Sequence, residues 1–94
     1  MNDKLLQEAR ELISLRFAER RKELGITQEK AAELSGLGIA TIKRFESAKF
    51  WIGLKQLLML CHAYQCYFFV EDKEANTPLA KQMRERWKRN NDNN

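Results

Sequence analysis

The stretch from Thr27 to Lys49, TQEKAAELSGLGIATIKRFESAK, constrains the fold more than any other part of the chain. It reads as two short helices joined by a tight turn. Thr27 suits the cap of the first, where a hydroxyl accepts from a free amide of the opening turn. Gln28 and Glu29 follow in that turn, and Glu29 complements the positive end of the helix dipole. Ala31, Ala32 and Leu34 supply a small inward face. Gly36 ends the helix, because the residue past a helix C-terminus commonly takes positive φ. The second helix is expected from about Gly38 to Ser47, with Ile42 and Phe45 on one face and Ile39 and Thr41 at its margins. Left outside are Gly38, Ile39, Ala40, Lys43, Arg44 and Ser47, a cationic surface with small side chains toward its N-terminal end.

A helix that slides into a DNA groove and sets its first turn against base edges needs this layout. The stretch resembles the helix-turn-helix of the lambda-repressor-like (Cro/Xre) family of bacterial and phage DNA-binding proteins. The resemblance runs without a gap from Arg20 to about Tyr64. A basic helix end (Arg20, Arg21, Lys22) leads to the Gly25 turn, Gln28 follows the cap, and Ala32 stands at the helix–helix contact. Gly36 marks the turn and Ile42 the core, and Glu46 and Lys49 precede a loop and a Leu-rich helix. Each position alone is a weak signal, whereas their joint spacing is specific. The resemblance implies sequence-specific binding of double-stranded DNA. Lys43 and Arg44 would read bases or phosphates, with Gly38, Ile39 and Ala40 setting the fit against base edges and thymine methyls. Gln28, Thr41, Lys49 and Lys55 would position the DNA backbone. The chain departs from the family at Gly38, where Ser or Thr is usual. It also departs at Ala31 and Ser35, which replace larger apolar residues, and in the loop Phe50–Gly53.

Upstream, Asn2 to Lys22 reads as one long helix, since Leu5, Ala9, Leu12, Ile13 and Phe17 recur at steps of three and four. Of the adjacent Phe50 and Trp51, one is expected on the core and the other over a neighbouring helix or the DNA backbone. Leu54 to about Tyr64 forms the next helix, with Leu54, Leu57, Leu58, Leu60 and Cys61 as its core face and the Gly53 and Leu54 amides as a phosphate site. Cys66 to Glu71, CYFFVE, is aromatic and β-branched and reads as a strand. No second strand is legible, and a lone strand leaves its backbone groups unpaired. Its simplest partner is its own copy, with Tyr67, Phe68, Phe69 and Val70 forming a dimer seam and an intersubunit sheet. Some members of the resembled family, antitoxins among them, dimerise in that way. Thr77-Pro78 then opens a basic helix carrying Leu79, Met83 and Trp87, and a disordered tail is expected over Asn90–Asn94.

The fold expected is therefore mainly α: a lambda-repressor-like five-helix domain over residues 1–65, then a dimerisation strand and a C-terminal helix over 66–94. Ninety-four residues with 44% hydrophobic content build a small core, which a partner subunit would help to cover. The net charge of +4 favours a polyanionic partner. No membrane span or signal peptide is legible, so a cytoplasmic, nucleoid-associated protein is expected, with Cys61 and Cys66 as reduced thiols. Cys61, His62 and Cys66 lack a fourth ligand for zinc, and no catalytic constellation stands out, so no metal, cofactor or enzyme is expected. The function expected is a homodimeric transcriptional regulator, a repressor on a palindromic operator. The alternative is an antitoxin that neutralises a partner toxin and autoregulates its operon.

Overall fold

A computed structural model describes residues 1–68 and 72–92. Within them lie five helices: α1 (Asp3–Glu23), α2 (Gln28–Ser35), α3 (Ile39–Glu46), α4 (Leu54–Ala63) and α5 (Pro78–Asp92). Contacts divide the chain into two compact units. One is Glu11–Phe68; the other joins Met1–Arg10 to the described part of Phe69–Asn94.

In the Glu11–Phe68 unit, α2 packs on both α3 and α4. The core gathers Ala31, Ile42, Phe45, Leu57, Leu60 and Tyr64, with Ile13 and Phe17 of α1 packed against it. The Phe17 ring meets Phe45 edge-on with centroids 5.4 Å apart and lies 6.4 Å from the Tyr64 ring. Helix ends follow from local chemistry. Thr27 Oγ1 accepts from the Lys30 amide at 3.0 Å, and Gly36, at φ 80°, ends α2 by donating its amide to Ala32 O. Helix α4 ends at Ala63, and just past it Gln65, at φ 55°, returns its amide and that of Cys66 to the carbonyls of His62 and Cys61.

Several expectations are corrected. The helix-turn-helix unit carries four helices and α5 is the C-terminal one, so the five-helix domain plus a further helix does not form. No strand occurs among the described residues. The Cys66 amide is spent on closing α4, and Tyr67 and Phe68 follow without regular structure, for a strand needs a second edge to pair with. Phe69, Val70 and Glu71 lie outside the described residues. Leu34, Leu54 and Leu58 are exposed rather than inward. At ~100° per residue, Leu58 falls roughly 110° from the middle of the face formed by Leu57, Leu60, Cys61 and Tyr64, and Leu34 a similar angle from the Ala31–Ala32–Ser35 face.

In the other unit, Asn2 Oδ1 accepts from the Leu5 amide at 2.8 Å and caps α1, and Leu5 is buried. Thr77 Oγ1 accepts from Ala80 N at 3.2 Å, with Pro78 in the first helical position as the sequence suggests. Helix α5 continues through Asn90 and Asn91 to Asp92, where a disordered tail was expected; no Gly or Pro interrupts it. Arg84 ties the preceding connector by donating to Ala75 O at 2.8 Å and to Lys73 O. No helix among the described residues is long and apolar enough to cross a membrane.

Candidate nucleic-acid interface

Helix α3 is set by what it buries. Ile42 and Phe45 are 1% and 2% exposed, which fixes the opposite face outward. At ~100° per residue, Ala40, Lys43, Arg44 and Ser47 fall within about 50° of the pole opposite Ile42 and Phe45. All four are exposed, as is Gly38. Ile39 and Thr41 sit on the flanks, half-buried. Gly38 caps the helix in extended conformation and brings no side-chain hydrogen bond, so the departure from Ser or Thr leaves the first turn held only by backbone. The first turn thus presents methyl and methylene groups, and the hydrogen-bond donors come one turn later, at Lys43 and Arg44.

Arg44 is braced. Its guanidinium carbon lies 4.7 Å from the centroid of the Phe50 ring, and Phe50 is itself packed on the core. Trp51, the other aromatic of the loop, is 53% exposed. Lys49 and Lys55 are exposed, Lys55 in the first turn of α4. The Gly53 amide, expected to meet a phosphate, donates to Gln56 Oε1 at 3.3 Å.

Two basic residues at the end of α1 are structural. Arg21 Nε and Nη2 grip the Glu46 carboxylate at 2.7 and 2.9 Å, and Arg21 Nη1 donates to Ile26 O at 2.8 Å. Both side chains are about nine-tenths buried. The hydrogen bonds to Glu46 raise the Arg21 pKa above its ordinary value, against the opposing effect of burial. Gln28, expected at the DNA backbone, donates its amide to Glu46 Oε1 at 3.3 Å and so joins this pair. Arg20 donates to the carbonyls of Tyr64 and Gln65 at 2.9 and 3.2 Å, satisfying the end of α4. The residue types give no hint of the pair; the position of Arg21, one turn beyond Phe17 on the inward stripe of α1, points its side chain inward without naming Glu46 as its partner.

Burial pushes the Tyr64 hydroxyl up to about 12 and the Cys61 thiol, beside Cys66, up to about 11. Cys61 and Cys66 are free thiols. Among the described residues no group of three or more His, Cys, Asp or Glu is gathered to hold a metal ion.

A family model described as helix-turn-helix matches residues 17–69, more than half of the chain and all of α2, α3 and α4. No curated protein and no solved structure gives a significant match.

Proposed function

The chain belongs to the lambda-repressor-like, Cro/C1-type helix-turn-helix family, and from that premise we propose that it is a dimeric repressor acting on a palindromic operator. The observation that carries this reading is the outward pole of α3, where Ala40, Lys43, Arg44 and Ser47 stand clear of the core on a helix locked from beneath. Laid in the major groove, α3 sets Gly38, Ile39 and Ala40 against base edges and thymine methyls, and Arg44 and Lys43 reach bases or phosphates. Thr41, Lys49 and Lys55 hold the phosphate backbone, with Gln28 at its edge through the Glu46 pair. Occupying the operator excludes polymerase. Residues 1–65 bind DNA and 66–94 serve assembly. Tyr67 is 93% exposed and Phe68 48%, two adjacent aromatics that supply apolar surface for a twofold seam completed by Phe69 and Val70.

Selection of bound sites from random duplex DNA tests the reading. The expected product is a palindrome with half-sites about 10–10.5 bp apart. Arg44→Ala should weaken that site by about 1–3 kcal/mol and random DNA less. Lys49→Ala should weaken both alike and lower the salt slope by about one unit. Failure to enrich any sequence would refute the reading. A single asymmetric half-site, or a protein that stays dimeric both after Tyr67 and Phe69 and, separately, after Phe68 and Val70 become lysine, would remove the proposed seam.

One feature favours the alternative of an antitoxin that neutralises a toxin. A groove of about 600 Å³, lined by Ser35, Leu54, Lys55, Leu58, Met59 and His62, offers an apolar surface beside the proposed Lys55 backbone contact. If the chain suppresses the toxicity of a neighbouring reading frame and Leu58→Asp abolishes that effect without loss of operator binding, the antitoxin reading stands.

A further inference from the structure

We propose that Phe50 is a positioning residue for base reading, holding the Arg44 side chain ready for a guanine. The inference rests on the assignment of Arg44 as a base reader above. It starts from the way α3 ends. The Ser47 amide donates to Lys43 O, the Ala48 amide donates to Phe45 O, and Ala48 takes a φ of 61°. The chain reverses there, and Phe50, six residues beyond Arg44, comes back along the helix. The Phe50 side chain is packed on the core cluster, and Arg44 lies over its ring at 4.7 Å. The ring is thereby anchored to the core and offers a π surface to an arginine on the exposed pole of α3.

Stacking uses only the flat face of a guanidinium. Its N–H edge keeps the fork that pairs with guanine O6 and N7. An arginine with an unrestricted side chain loses rotamer freedom when it forms that pair, whereas one already resting on a fixed ring loses less. Phe50 contributes to recognition without touching DNA, and its contribution appears only where Arg44 meets its base. A left-handed alanine beside the reading helix fits this account, since the strained turn is what returns the ring to Arg44.

The test is a double-mutant cycle on the full chain with the selected operator and random duplex of equal length. Phe50→Leu keeps an apolar side chain on the core and removes the ring; Phe50→Tyr keeps the ring. Phe50→Leu should weaken operator binding about threefold to tenfold, the freedom of one long side chain. Random-DNA affinity and salt slope should stay close to those of the parent, and Phe50→Tyr should restore operator binding. In an Arg44→Ala background the same Phe50→Leu change should have no further effect. Equal losses with and without Arg44, equal losses on both DNAs, or tighter operator binding by Phe50→Leu would overturn the inference while leaving the repressor reading intact. A chain that selects no sequence would overturn both.

Discussion

Replacing Glu46 with glutamine keeps the shape of the side chain and removes its charge. Arg21 then loses its ionic partner at 2.7 and 2.9 Å and keeps its bond to Ile26 O. The two side chains are 11% and 10% exposed, so water cannot replace the carboxylate. Breaking a buried pair from one side costs about 3–5 kcal/mol. The glutamine oxygen can still accept one bond and offsets about 1 kcal/mol of that. The net loss is about 2–4 kcal/mol, against a total of roughly 5–14 kcal/mol for a chain of this size. In thermal terms the midpoint should fall by about 8–30 °C. Urea denaturation followed by circular dichroism measures it, with an unchanged m-value showing that the folded state is the same. Arg21→Met combined with Glu46→Leu should recover most of the loss, because it strands no charge. A loss below about 1 kcal/mol, the value of an exposed ion pair, would refute the argument. So would a double variant no more stable than Glu46→Gln.

Two further outcomes follow from the same unit. Ala48→Gly relieves a left-handed alanine, worth about 1–2 kcal/mol, and adds unfolded-state freedom worth about 0.5–1 kcal/mol. The net gain should be about 0.5–1 kcal/mol in urea denaturation, and a loss would show that the Ala48 methyl packs usefully. The Cys61 and Tyr64 groups are both raised by burial, from 9.0 to about 11 and from 10.0 to about 12. The folded state therefore holds protons that the unfolded chain releases. That stability is fully present below pH 9 and drains away as pH rises through about 11 and then 12. Cys61→Val should remove the earlier part of the decline, and a urea midpoint flat to pH 11 in the parent would contradict the assignment.

What could be read from the sequence was whatever is decided within one turn of helix. Thr27, Gly36 and Gly53 mark helix ends by side-chain or backbone needs, and Ile42 with Phe45 sets the inner face of α3. Lys43 and Arg44 then had to face out. Widths of faces were not legible: Leu54 and Leu58 satisfy a helical period beside Leu57 and Leu60, and only packing shows that the core ends before them. Nor was pairing across 25 residues. Arg21 and Glu46 each look like surface charge until Phe17 and Phe45, their neighbours on α1 and α3, are seen to meet. The Phe50 contact depends on a left-handed Ala48, a conformation alanine does not announce.

The long-range contacts divide α3 into two unequal ends. Its C-terminal half holds Ile42 and Phe45 in the core and Glu46 in the buried pair. Its N-terminal turn has a glycine cap, amide bonds from Thr41 and Ile42 to Gly38 O at 3.1 and 3.3 Å, and no side-chain cap. Donors that must match a base edge need a fixed orientation, since a hydrogen bond weakens steeply when misaligned. Methyl contacts tolerate a shift of the backbone. Lys43 and Arg44 stand on the anchored half, whereas Ala40 and Ile39 stand on the lightly held one. If Arg44 reads a base as proposed, the Arg21–Glu46 tie sets the pose of α3 from which it does so. A variant weakened there, but kept folded at low temperature, should lose discrimination at the base facing Arg44 before it loses affinity for random DNA.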